Sequence, residues 1–517
     1  MEIIHPTGES LIKTSPVNMR PIPLDTFAGR VHVEWDPQAE VTPFGQMPFF
    51  IDFLKTAELY QPWIDDCPLL YTSPNAPSKA DVLGTLFLSI LSGHRRYAHI
   101  TTIRSDQVNP NLLGMKQVVS EDSARRAFQK TEENACVEWL QSHLRRCYEP
   151  LLYEPWILDA DMTVKPLYGH QGGAVAGYNP KKPGRPSHAY HTYGIANLRL
   201  ILDVEVQPGN QTASSFARPR LWAFLDALPK EAWPEFLRGD CDWGNEKVMA
   251  GAEIRNLPYL FKLKQSKNVK RLVEEIWAHR DWVPAGQGWE GVNETLQLQG
   301  WTRSRRVIVL RREIQEEVVL TNPKAKKSDQ EVIQLEFAFV ELMGAAKRYE
   351  YAVLVTSLDE EILTVAQHYR DRGDAENIFD ELKNQWGWNG YMTQDIKRCQ
   401  IMARMIALVY NWWSLFVRLA VPDKHAEAIT SRPLLLNGIA KQTRHSGQTT
   451  ITVTSIHGNS QAIQQIFRSL TEFLSWVKRN AEQLDWEERW RCILSRALRF
   501  FLGGRLLQKP KWLPATT

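Results

Sequence analysis

Tyr369, Arg372, Glu376 and Lys383 stand together in the stretch HYRDRGDAENIFDELKNQWGWNGY. A carboxylate, two cations and a phenol suit a phosphate backbone beside a metal ion. On an α-helix each residue advances by about 100°, so with Tyr369 at zero, Arg372, Glu376 and Lys383 fall at about 300°, 340° and 320°. All four share an arc of about 60° along roughly 21 Å of helix. The simplest account of such a stripe is a solvated helix face, and Arg372 with Glu376 is an ordinary i,i+4 pair. The stripe rises above that account only if other carboxylates converge on Glu376.

Two upstream segments offer them. WILDADMTV reads as a strand whose period of two places Ile157, Asp159, Asp161 and Thr163 on one face. PEFLRGD reads as a short strand that delivers Asp240 at its end, and Asp242 just beyond it looks like a turn or helix-capping residue. A lone aspartate at a strand end is usually a turn former or a cap. Acids ordered on strand, strand end and helix make a more specific pattern. They supply hard oxygen ligands, which suit Mg2+ and exclude a thiolate site.

The spacing Y-x2-R-x3-E-x6-K is a named signature. Through it the chain resembles bacterial insertion-sequence transposases of the DDE type, in the superfamily marked by YREK, and it matches at all four positions. The resemblance covers about residues 155–395, and the helical flanks more loosely. It implies a ribonuclease H-like catalytic domain in which Asp161, Asp240 and Glu376 are the catalytic residues and hold two Mg2+ (or Mn2+) ions. The Asp161-Met162-Thr163 arrangement and the following YGHQGG resemble the family's first motif. Asp159 points to the same face and remains the competitor. Asp240 is followed three places on by an aromatic, Trp243, as in the second motif. By the same resemblance Tyr369, Arg372 and Lys383 contact the DNA terminus near the scissile phosphate. A dimer pairing two transposon ends and cut-and-paste movement are implied as well; the residues themselves do not show a hairpin step.

Positioning such a site requires an α/β fold, a mixed sheet with helices packed on it. The sequence divides into an irregular arm over 1–45 and a helical DNA-binding domain over 46–150. The core's first part covers 151–281, a β-rich insertion 282–347, and the core's second part 348–395. A basic helical C-terminal region covers 396–517. In the helical domain Ser78 reads as an N-cap with a Gly93 stop, and Ser120 caps a helix carrying Arg125 and Arg126. That pair would suit a helix-turn-helix recognition element, as would a plain helical bundle. In the insertion VNETLQLQGW, RRVIVLRRE and EVVLT alternate like antiparallel strands, and NPKAKKSDQE reads as a basic loop. The stretch from Glu360 to about Trp386 reads as one long helix. Arg303 and Arg305, in RSRR, join NPKKPGR and Lys262–Lys270 as further DNA contacts, and Trp289 and Trp301 as base-stacking residues.

A chain of 517 residues, 43% apolar and 23% charged, has ample core for two to four domains. Its net charge of +3 is nearly neutral, but from Lys397 onward 18 Lys/Arg stand against 7 Asp/Glu. A basic C-terminal region on an acidic body suits a polyanion. Six cysteines without C-x2-C pairing read as reduced thiols, with no zinc site. The N-terminus is not a signal peptide, and the apolar runs Val82–Ser92 and Ile401–Val421 read as core helices. Together with the resemblance, these features imply a protein of the bacterial cytoplasm, associated with the nucleoid. The expected partners are double-stranded DNA, in terminal inverted repeats and target, and a second copy of the chain. Two alternatives stand beside a DNA transposase. One is a domesticated, non-catalytic DNA-binding protein. The other is a two-carboxylate glycoside hydrolase, encouraged by 19 tryptophans.

Overall fold

The segment read as an irregular arm opens with a β-hairpin. Strands β1 (Ile22–Thr26) and β2 (Gly29–Val33) pair antiparallel, setting Ile22 against Val33 and Leu24 against Val31. Alternation therefore gathers four apolar side chains on one face, and both strands are exposed throughout. The computed structural model describes residues 21–314 and 349–508, apart from 37, 72, 74, 180, 181, 212, 278–280, 423, 424, 456 and 457. A two-residue strand β3 (Val41–Thr42) follows.

Between Met47 and Tyr148 the regular elements among the described residues are all helices. Ser78 caps the helix Lys79–Leu91 by accepting from the Asp81 amide at 3.0 Å, and Gly93 beyond its end takes φ +77°. Eleven of its residues are buried, so it is a core helix and not a surface one. Ser120 likewise caps Glu121–Arg126, a helix of only six residues. Phe128, at φ +66°, separates it from the long helix Glu133–Tyr148.

The alternating segments beyond Pro155 form one sheet of ten strands. They are β4 (Ile157–Pro166), β5 (Val175–Ala176), β6 (Pro186–Ile195), β7 (Leu200–Pro208), β8 (Phe236–Gly239), β9 (Tyr259–Lys262), β10 (Val283–Gly286), β11 (Trp289–Leu296), β12 (Arg305–Glu313) and β13 (Tyr349–Thr356). The order is β10-β11-β12-β13-β9-β8-β4-β6-β5, with β7 also paired to β6. Only β4–β8 and β8–β9 are parallel, and the helices Arg218–Asp226 and Glu246–Ile254 lie in the connections that parallel pairing requires. The stretch read as a β-rich insertion supplies β10 to β12, which continue the main sheet through β13. EVVLT and NPKAKKSDQE lie outside the described residues.

The single helix read from Glu360 to Trp386 is two, Ile362–Arg370 and Gly373–Asn384. Behind them runs Ile396–Ala420, with twenty of its 25 residues buried. The polar residues that interrupt its apolar run bind the sheet. Asn411 bridges both backbone groups of Ile201 at 2.8 and 2.9 Å, and the Arg404 guanidinium bonds the Asp203 carboxylate at 2.8 Å. Near the C-terminus β14 (Ala440–His445) and β15 (Gln448–Val453) form a hairpin that β3 extends. Among the described residues no helix is long and apolar enough to cross a membrane, and all six cysteines are free thiols.

One buried cation ties the sheet to the segment after the Gly373–Asn384 helix. The Lys165 ammonium, at the far end of β4, donates to the Gly390 carbonyl at 2.6 Å and to the Tyr190 hydroxyl at 3.2 Å. Burial pushes it down to about 8 from its ordinary 10.5. The folded state therefore releases this proton first. The cost of burying the charge is fully present below about 8 and is relieved as pH rises towards the ordinary lysine value. The native chain should gain stability relative to Lys165→Met across that interval, by up to about 3 kcal/mol. Denaturant unfolding of both proteins on either side of pH 8 checks this; a gap that does not change with pH would contradict it.

Candidate active site

The parallel register of β4 and β8 decides which acids meet. Asp159 lies against Arg238 and Ala160 against Gly239, so Asp161 and Asp240 leave the pair side by side. Asp159 and Asp161 share one face, and on β8 Arg238 and Asp240 share the corresponding one. An opposite-charge pair is therefore followed directly by a like-charge pair.

The first pair is closed. The Arg238 guanidinium donates to both Asp159 carboxylate oxygens, at 2.6 and 2.8 Å, and both side chains are under 10% exposed. Arg238 also donates to the His368 carbonyl at the end of the Ile362–Arg370 helix. Asp159 is thus spent on holding two strands and a helix together. Asp161 is engaged differently. Arg372 donates to one of its oxygens at 2.6 Å and, at 3.2 Å, to Glu376 one turn further along.

Asp240 meets the other side of Asp161. Burial, and then the neighbouring Asp161 charge, push its carboxyl up to about 6, against the opposing effects of Arg372 and a hydrogen bond from the Asp242 amide. That amide donates to Asp240 at 2.9 Å, turning the chain sharply after the strand. Asp242 itself pairs with Lys264 at 2.5 Å. The helix cap is Asn245, not Asp242: its side chain accepts from the Val248 amide. Trp243 is buried beneath the turn, and a Cβ at position 239 would stand 2.8 Å from its ring. Glycine before Asp240 is therefore a packing requirement.

The four-residue stripe is bent between its first two members. Tyr369 ends the first helix, Arg372 is the N-cap of the second, and Glu376 sits in that helix's first turn. Tyr369 packs beside the apolar cluster of Phe236, Leu260 and Val365, and burial drives its phenol up beyond the ordinary range. Burial opposes the charge on Arg372, but Asp161, Tyr369, Asp240 and Asp159 outweigh it and hold the guanidinium protonated. Glu376 is 61% exposed, and Lys383 is half-buried further along the same helix. The β6–β7 turn secures that helix: Arg199, at φ +51°, pairs with Asp374 at 2.5 Å.

Asp161, Asp240, Arg372, Glu376 and Tyr369 are thus one neighbourhood. The other sequence-predicted contacts lie elsewhere. Arg125 pairs with Asp122 at 2.6 Å and Arg126 with the same carboxylate at 3.6 Å, both exposed. Arg303 is exposed and pairs with Glu253 at 2.9 Å. Arg305 is corrected as a DNA contact. Its side chain is 2% exposed and bonded to Glu246 at 2.6 Å and Glu253 at 2.7 Å, so no phosphate reaches it without dismantling that network. Sequence reasoning missed Arg238. The signal was there, since R-x-D on one parallel strand faces D-x-D on the next.

Asp159 and Asp161 should separate in a stability measurement. Removing Asp159 strands a buried Arg238, so Asp159→Ala should cost roughly 3–5 kcal/mol. Asp161→Ala relieves repulsion on Asp240 and should cost less than about half of that. Equal losses in denaturant unfolding would overturn the division of labour.

No curated protein matches the chain. Among solved structures the chain is similar to a piggyBac transposase in a synaptic complex with hairpin DNA, determined by cryo-electron microscopy. The TM-score is 0.36 at 11% identity, over 93% of this chain and 89% of that one. The family model for the transposase DDE domain, group 1, matches residues 76–474, well over half of the sequence. The chain belongs to the transposase DDE domain group 1 family.

Proposed function

We propose that the protein is a bacterial insertion-sequence DNA transposase that cuts and joins DNA at terminal inverted repeats, by cut-and-paste movement. The observation that carries this reading is the register of β4 and β8, which sets Asp161 beside Asp240 with Arg372 joining Asp161 to Glu376. Family membership supports the reaction class and sets aside a glycoside hydrolase. Retention of all three acids favours an active enzyme over a domesticated DNA-binding protein. The mixed sheet with helices on it suits a ribonuclease H-like core.

DDE transposases generally use divalent metal ions. Among the described residues no three His, Cys, Asp or Glu side chains are gathered closely enough to hold one. The donor set nonetheless fits by chemistry. Two oxygen-ligand aspartates stand side by side, burial and then the Asp161 charge push Asp240 up, and the cation on Asp161 is Arg372. Asp161, Asp240 and Glu376 would hold Mg2+ or Mn2+, which supplies activation of water or a 3′-hydroxyl and stabilisation of the leaving oxygen. Arg372 and Lys383 would neutralise phosphates at the DNA end, with Tyr369 positioned beside them. Arg125, Arg126 and Arg303 are proposed as outer DNA contacts, and two copies of the chain as the unit that pairs two ends.

The test uses purified protein, labelled duplexes built from the DNA flanking the gene, and Mg2+ or Mn2+. Nicking at the repeat end is expected. Asp161→Asn, Asp240→Asn and Glu376→Gln should each reduce it by at least about a thousandfold, equivalent to about 4 kcal/mol of barrier. Unchanged cleavage by Asp240→Asn would sink the assignment.

A further inference from the structure

We propose that Arg372 is a lock on the catalytic carboxylates, a built-in cation that holds the place of the metal until a DNA end draws it away. The inference rests on the transposase reading and extends it to how the site is loaded. Three observations carry it. The guanidinium bonds the Asp161 carboxylate at 2.6 Å, so the ligand atoms meant for a cation already serve one. It also tethers Glu376 at 3.2 Å, with that carboxylate 61% exposed and turned towards solvent. The guanidinium is itself only 14% exposed, and Asp240 as well as Asp161 sustains its charge there.

The backbone supplies the means of release. Arg372 lies at the break between the helices Ile362–Arg370 and Gly373–Asn384. A Cβ at Gly373 would meet nothing within 4 Å. The preceding helix is held at its end by Arg238 and the following one at Asp374 by Arg199, so the Arg372 side chain at the break can leave while both helices and Asp159 stay in place. A phosphate is a strong competing partner for an arginine fork. When it takes the guanidinium, the Asp161 oxygens are freed and Glu376 is released to turn inward. Metal affinity and DNA-end affinity are then coupled, and by linkage each ligand strengthens the other by the same factor.

Calorimetric titration of Mn2+ into the full-length protein tests this, with and without a blunt-ended DNA duplex. Without DNA, Arg372→Gln should bind Mn2+ at least about tenfold more tightly than the native chain, a difference of about 1.4 kcal/mol. The duplex should tighten Mn2+ binding by the native chain and leave Arg372→Gln unchanged. Arg372→Lys, which keeps the charge without the fork, should fall between them, and a thermal melt of each variant confirms folding. Equal affinity of native and Arg372→Gln proteins without DNA, or equal tightening of both by the duplex, would overturn the lock. Asp240→Asn separates the two failures. If it abolishes Mn2+ binding while Arg372→Gln changes nothing, the lock is wrong and the metal site stands. If no protein binds Mn2+ with or without DNA, both readings fall.

Discussion

Two aspartates forced together at the end of a parallel strand pair are the constraint on which the rest of this structure depends. Asp161 and Asp240 repel each other in a buried setting, and the fold pays that cost in several places. Gly239 and Trp243 let the chain turn tightly enough to present Asp240 at the strand's end. Arg238 and Asp159 clamp the register one step before the repulsion begins. Arg372 provides the opposing charge from the helix side. Remove the clamp and a one-residue slip would become thinkable; with it, the two strands admit one alignment.

Around this centre the molecule ties its layers with buried polar contacts as well as apolar packing. Asn411 completes the backbone bonds of Ile201, Arg404 answers Asp203, Arg305 joins Glu246 and Glu253, and Glu381 meets His425 and the Ala428 amide. Each contact joins elements far apart in sequence, so breaking one leaves a buried group unsatisfied and not merely a gap. The long Ile396–Ala420 helix can therefore be strongly apolar without resembling a membrane span, since Arg404 and Asn411 within it are committed to β7.

Much of the fold was legible because local pattern and final environment agree. The alternation in WILDADMTV and in RRVIVLRRE is present as strand, and Ser78, Ser120 and Gly93 act at helix ends. What could not be read depends on partners distant in sequence. Alternation predicts a strand but not its neighbour, so which sheet β10 to β12 join was not legible. Nothing in Tyr369–Lys383 except Gly373 announces a bend, and the hydrogen bond that ends the first helix comes from Arg238 on another strand. In RSRR the consecutive basic residues look alike, yet Arg303 faces solvent and Arg305 is buried. Asp159 and Asp161 were equivalent by period and parted only by the Asp161-Met162-Thr163 context; the register against Arg238 gives them different partners. The hairpin at Ile22–Val33 was hidden by the prolines around it.

Arg238 also sets the charge arithmetic of the site. Because it cancels Asp159 permanently, the acids left to balance are Asp161, Asp240 and Glu376, and Arg372 offsets one of them in the resting chain. Counted together, Asp159, Asp161, Asp240 and Glu376 against Arg238 and Arg372 leave two formal negative charges at the end of β4 and β8. An uncancelled Asp159 would spoil that balance by a full unit in a region with little water to absorb it. The charge left on the carboxylate cluster is thus fixed in part by a residue whose own bonds go to Asp159 and the His368 carbonyl.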